Sequence, residues 1–120
     1  CGSASGMAAA ALVELMGGSP AASGDALGMA IINQMGLVCD PVAGLVEIPC
    51  VKRNVSGVMI AFSSADMALA GIDLKIPVDE CIADMKSVGD TMSVNLKETS
   101  QGGLAATPTG IALRKKVFGE

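Results

Sequence analysis

Two cysteines flanked by prolines carry the most specific chemical pattern in the chain: Cys39-Asp40-Pro41 and Pro49-Cys50-Val51-Lys52-Arg53-Asn54, joined by Val42 to Ile48 with Gly44 between. Thiols at the two ends of so short a loop are easily brought together, because closure entropy grows only with the logarithm of loop length. Such a pair can grip a metal. It can equally close a disulfide, join Cys1 and Cys81 in a four-thiol zinc site, or sit as small buried hydrophobes. Structural zinc usually draws on close cysteine pairs, yet no two cysteines here are nearer than eleven positions. Four thiols in a chain that is 51% apolar are also unlike a cysteine-dense secreted scaffold. Spacing alone leaves these readings open.

Beside Cys50, Arg53 offers a planar fork of donors that can hold a carboxylate bidentately, and Asn54 an amide that can orient it. The competing reading is a solvated Lys52-Arg53 pair on a helix surface, with Lys52 the more solvated member. Thr99-Ser100-Gln101-Gly102-Gly103 can bring hydroxyls and close backbone to a ligand, although an ordinary helix end uses the same residues. Ser3 and Ser5 are ambiguous between ligand contact and close helix packing. With 0 His in the chain, no general base can be named. Glu47, Glu98 and the lysines are weak candidates.

The elements that must position these groups read as helices. Met7 to Met16 is rich in Ala and Leu and stops at Gly17-Gly18. A second apolar helix is expected from Gly24 to Leu37. Pro41 pushes Asp40 out of helical geometry. Pro49 is placed to open a third helix to about Ala70, with Val55, Val58, Met59, Phe62 and Leu69 as its apolar positions. Ile76-Pro77 opens a fourth, with Asp79 and Glu80 in its first turn and Val78, Ile82, Met85, Val88 and Met92 along one side; Cys81 on that side reads as core. Leu45 to Ile48 is the best strand candidate and is also readable as extended loop. Gly102-Gly103 ends the regular pattern, and 106–120 reads as a mobile tail. The expectation is a single all-α domain with an irregular cysteine-bearing loop.

A length of 120 residues suits one domain burying roughly two-thirds of its unfolded surface. The net charge of -4, only 8 Lys plus Arg and 2% aromatic residues argue against nucleic acid as a partner. Before Cys39 only Glu14 and Asp25 are charged, so the first third reads as interior. Its apolar runs are too short for the roughly 20 residues of a membrane span, and no signal-peptide pattern is visible, which points to a cytoplasmic location without a membrane partner.

The run from Cys39 to Asn54, together with Cys1-Gly2-Ser3-Ala4-Ser5-Gly6-Met7-Ala8-Ala9-Ala10 and Lys97-Glu98-Thr99-Ser100-Gln101-Gly102-Gly103-Leu104-Ala105, resembles the alpha chain or alpha domain of the iron-sulfur-dependent L-serine dehydratases. The likeness covers Cys1 to about Ala105, in several separated motifs. It implies that Cys39 and Cys50 are two of three thiolates holding a [4Fe-4S] cluster. The third belongs to a Cys-Gln-Ala-Glu-Cys-Gly-Ser-Ala run, of which Cys1-Gly2-Ser3-Ala4 matches only the end, so Cys1 corresponds to a cysteine that is not a ligand. The resemblance therefore implies the C-terminal part (residues 1–105, then a tail 106–120) of a longer enzyme, with the first ligand and the base upstream.

The implied activity is conversion of L-serine to pyruvate and ammonia, with the open iron of a three-thiolate cluster acting as Lewis acid. Arg53, Asn54 and Ser100 become candidates for binding serine. The implied partners are the remainder of the alpha chain and a beta chain or domain, in an oligomer; the piece alone is expected to be inactive. The alternatives are a related lyase releasing sulfide from cysteine, a non-catalytic zinc or thiol module, and a helical piece packing on another subunit.

Overall fold

The computed structural model describes residues 1–120. It contains five α-helices, α1 Gly2–Leu15, α2 Pro20–Ile32, α3 Cys50–Leu69, α4 Val78–Thr91 and α5 Pro108–Phe118, with short 3-10 turns at Val42–Gly44, Val94–Leu96 and Gly103–Ala106. The only ladder element is an isolated parallel bridge between Cys39 and Lys97. The all-α reading and the irregular cysteine loop hold. The strand candidate Leu45–Ile48 is turn and loop. No helix is long and apolar enough to cross a membrane.

The chain divides into two compact units, Cys1–Gly36 with Asn54–Asp90, and Leu37–Arg53 with Thr91–Glu120. In the first, an alanine-rich core of Ala9, Val13, Ala26, Ala30, Ala61 and Ala65 joins α1, α2 and α3. Small side chains let these helices approach closely. On the other side of α2, Met29 and Ile31 pack with Leu74 and Cys81, and Leu74 lies so close over Gly28 that a Cβ there would overlap it. Cys81 is 2% exposed, which bears out its assignment to the core.

Several boundaries and faces differ from the sequence reading. Helix α2 starts at Pro20 rather than Gly24, because the Ser19 hydroxyl accepts from Ala22 N–H at 3.1 Å and caps the end. It ends at Ile32, well before Leu37. Helix α1 begins at Gly2. The first third is not wholly interior: Met7, Leu15 and Met16 are exposed. Helix α3 buries its small residues Gly57, Ala61, Ser64, Ala65 and Ala68, and turns Val55, Val58, Met59 and Phe62 outward. On α4, Ile82 is likewise exposed, while Val78, Cys81 and Met85 face the core.

The second unit holds the cysteine loop and everything that fastens it. The segment 106–120, expected as a tail, contains α5, capped by the Thr107 hydroxyl accepting from Gly110 N–H at 3.1 Å, with Pro108 at its start and Gly119 in the left-handed conformation at its end. Lys115 and Lys116 lie in its last turn, where the helix dipole favours cations.

Candidate functional site: the cysteine loop and its clamp

The loop between Cys39 and Cys50 folds back on itself. Val42 N–H donates to Ile48 O at 2.9 Å, and Gly44 and Leu45 N–H donate to Pro41 O and Val42 O. Ala43 takes a left-handed φ of 60° within this turn, and the Ile48–Pro49 peptide is cis. Cys50 is the first residue of α3, at the helix end that favours negative charge. Cys39 is stapled by its backbone: its N–H donates to Leu96 O at 2.9 Å and its carbonyl accepts from Glu98 N–H at 2.8 Å. Both thiols are half-buried and free.

Burial pushes the Cys39 thiol above its ordinary range, and the charges of Glu98, Cys50 and Asp40 add to this while Arg53 opposes it. Two free thiols at the ends of one fastened loop, with Cys50 at a helix N-terminus, make a donor set that fits two ligands of a cluster. It does not make a complete cage: no group of three His, Cys, Asp or Glu side chains able to hold a metal forms. The four-thiol zinc alternative fails here too, since the Cys81 thiol is buried in the first unit's core, donating weakly to Ile76 O at 3.8 Å.

The residue that organises the loop is Asp40, which the sequence reading used only as the residue before a proline. The residue is 2% exposed. Oδ1 accepts from Arg53 Nη1 at 2.5 Å and Oδ2 from Leu104 N–H at 2.6 Å. Burial pushes this carboxyl up, but the Leu104 N–H and the Arg53 guanidinium outweigh it and hold the group below the usual carboxylate range. The neighbouring Gly103 has a φ of 58°, and a Cβ there would collide with the Asp40 carboxylate. Gly103 is therefore required by the carboxylate's approach, not merely by a helix end, while a Cβ on Gly102 would crowd Asn95. A signal was available: Asp40 is an acid set in an apolar stretch whose next cations are Lys52 and Arg53.

Arg53 is only partly committed. Its Nη1 donates to Val38 O at 2.9 Å as well as to Asp40, while its side chain remains 23% exposed. Nη1 carries two of the five guanidinium N–H donors, so Nε and Nη2 carry the other three. Ser100, at a φ of 57°, donates its hydroxyl to Pro41 O at 2.6 Å and so fastens the same loop. Arg53 and Ser100 thus both belong to the cysteine-loop assembly. Asn54 belongs to the first unit, where its Oδ1 accepts from the Cys1 thiol at 3.4 Å beside a shallow cavity of about 150 Å³ lined by Ala4, Ser5, Ala8 and Gly57. Ser5, the ambiguous hydroxyl, is buried and donates to Gly57 O at 2.6 Å, which is a packing role.

The profile of the serine dehydratase alpha chain family matches residues 1–105, which include the whole cysteine loop, Arg53 and the Gly103 clamp. The chain belongs to this family. It is 62% identical over 118 residues to the probable L-serine dehydratase alpha chain of Bacillus subtilis, covering 98% of this chain and 39% of that one. It is 61% identical over 119 residues to the corresponding probable alpha chain of Latilactobacillus sakei, covering 99% and 57%. It is 52% identical over 120 residues to the L-serine dehydratase alpha chain of Peptoniphilus asaccharolyticus, covering 100% and 41%. The chain thus spans from about two-fifths to somewhat over half the length of these alpha chains. Longer proteins named simply L-serine dehydratase match this serine dehydratase alpha chain segment over 105 residues, 23% of their length.

Proposed function

We propose that this chain is part of the alpha chain of an iron-sulfur L-serine dehydratase, which removes water from L-serine and yields pyruvate and ammonia. The observation that carries this reading is the family match over a loop that bears Cys39 and Cys50 at its ends and that Asp40 ties to Arg53 and Leu104. Cys39 and Cys50 would hold a [4Fe-4S] cluster with a third thiolate from the rest of the protein. When bound, such a cluster supplies a Lewis acid that makes the serine hydroxyl a better leaving group.

The chain's own residues hold and orient. Arg53 keeps three N–H donors beyond its bonds to Asp40 and Val38, enough for a two-pronged grip on the serine carboxylate beside Cys50. Asn54 follows it on α3 and would supply an amide to orient the substrate. Ser100 sets the loop through Pro41 and can still accept a hydrogen bond from the substrate at its hydroxyl oxygen. The proton leaves Cα to a base from the remainder of the enzyme. Elimination gives aminoacrylate, whose imine tautomer is hydrolysed to pyruvate and ammonia. This 120-residue piece alone is inactive, and the working enzyme is a cytoplasmic assembly with the rest of the alpha chain and a beta chain or domain.

The test is anaerobic preparation of the complete enzyme with Cys39→Ser and Cys50→Ser. Each variant is expected to lose iron, sulfide and visible cluster absorbance together with pyruvate formation. A full complement of iron and sulfide in either variant would overturn the ligand assignment.

A further inference from the structure

Helix α5 uses only one side to hold the cysteine loop. Gly110 is buried, with no room for a Cβ against Leu104 O, and Leu113 and Val117 line a small apolar cavity of about 80 Å³ with Val42, Leu45 and Ile48. Its other side carries Ile111, Arg114, Lys115 and Phe118, the i, i+3, i+4, i+7 spacing of a continuous helical stripe. That stripe forms one wall of an open groove of about 670 Å³, whose opposite wall is Gly44 and the segment Glu98 to Gln101. Ile111 is 44% and Phe118 56% exposed. Arg114 reaches only Glu120, at 4.0 Å.

We infer that this groove is the docking site for a separately made partner chain of the dehydratase, taking a segment of apolar side chains with a carboxylate beside α5. The inference rests on the functional reading above. The occupant follows from where the similarity ends. The family profile stops at residue 105 and the matches to the longer dehydratases are only 105 residues long, whereas matches to proteins named alpha chains run over 118 to 120 residues and include α5. A segment covalently joined to the rest of its enzyme is held at high effective concentration by the linker. A chain that must find its partner in solution needs added contact surface, and α5 supplies it. The charges agree, since Arg114, Lys115 and Lys116 make the helix side basic while Glu98 and Glu120 sit at the groove's other borders.

The groove also faces the site's own support. Its far wall includes Glu98, whose N–H holds Cys39 O, and Ser100, whose hydroxyl holds Pro41 O, both at left-handed φ. A seated partner would therefore steady the backbone that aims Cys39.

The experiment titrates the complete, tagged alpha chain with its organism's own beta chain, measuring Kd, alpha-chain iron content and serine-dependent pyruvate. Ile111→Asp with Phe118→Asp, and separately Arg114→Glu with Lys115→Glu, are expected to weaken Kd at least tenfold, while Phe118→Leu stays within about threefold of the parent. Iron content and helix content should be unchanged, and pyruvate formation should return at saturating beta chain. If the aspartate pair unfolds the chain, the exposed charge-reversal pair decides alone. An unchanged Kd in a folded variant of either pair overturns the proposal. So does loss of alpha-chain self-association without loss of beta-chain affinity, which would make a second copy the occupant, or a raised serine KM at unchanged Kd, which would make the groove a substrate site. A wild-type pair that associates through these residues yet forms no pyruvate would refute the catalytic reading and leave the docking site standing.

Discussion

Replacing Gly103 with Ala probes the clamp at the point where it has least room. Gly103 sits at a φ of 58°, and a Cβ there would overlap Asp40 Oδ2 and lie 2.7 Å from Asp40 Cβ. Left-handed geometry costs an L-residue roughly 1–2 kcal/mol. The clash adds a second cost, because the carboxylate must move away from Leu104 N–H and Arg53. A hydrogen bond to a charged group contributes about 1.5–3 kcal/mol, and the Arg53 contact is worth the lower part of that range because its side chain still meets solvent. Together these give a destabilisation of about 3–5 kcal/mol, a large share of the roughly 5–15 kcal/mol that holds a domain folded.

A double-mutant cycle separates the two costs. With Asp40→Ala already in place, the carboxylate is gone, so Gly103→Ala should cost only the backbone part, about 1–2 kcal/mol. The coupling between the sites is then about 2 kcal/mol, read from urea midpoints of the complete alpha chain and its three variants at constant m. Additivity to within about 0.5 kcal/mol would refute the idea that Gly103 is glycine because Asp40 needs its space.

Two further predictions concern charge. Burial, with Asp84 and Glu80, holds the Cys81 thiol above its ordinary range. Below about pH 8.5 both folded and unfolded chains keep that proton; above it the unfolded chain releases it first, so stability falls as pH rises. Cys81→Ala should flatten the decline of Tm between pH 8 and pH 10, and an unchanged slope would remove Cys81 as its cause. Arg53→Lys replaces the fork with a single point charge that cannot hold Val38, Asp40 and a substrate carboxylate together. It should lower kcat/KM for serine in the complete enzyme by about tenfold to a hundredfold at unchanged iron content; an unchanged kcat/KM would leave Arg53 as a fastener of the loop alone.

The all-helical fold was legible because long apolar segments bounded by Gly and Pro leave few alternatives. The misplaced start of α2 and the missed α5 share one cause. Ser19-Pro20 and Thr107-Pro108 both place a capping hydroxyl before a proline at the first helical position, a starting signal that is easily read as a break. Recognising it would have moved α2 four residues earlier and found α5. The facing of α3 was harder to read. Periodicity shows two stripes, one large and one small, and does not say which turns inward. In an alanine-rich core the small stripe goes inward, where Ala61, Ala65 and Ala68 meet Ala9, Ala26 and Ala30. At the candidate site, the placement of both thiols and Arg53 around one loop was legible from the sequence. The role of Asp40 was not, because its partners lie 13 and 64 positions away along the chain.

That separation explains how an irregular loop can hold two thiols in place. Helices fix side chains by local repetition, but residues 39–50 have little regular structure to rely on. Cys39 is fixed instead from the distant segment 96–98 by its own backbone. Asp40 ties the start of α3 to Leu104, and Ser100 ties Pro41 to the same segment. Each link joins the loop to a different point, so together they restrain its orientation as well as its position. If the two thiols hold a cluster as proposed, that rigidity would set their geometry before the metal arrives. Of the four non-glycine residues with left-handed φ, Ala43, Glu98 and Ser100 fall on the loop or the segment fastened to it, and only Lys75 lies elsewhere. Local strain there is tolerated because the surrounding hydrogen bonds over-determine the backbone, and its concentration around Cys39 marks this loop as the part of the chain selected for something other than stability.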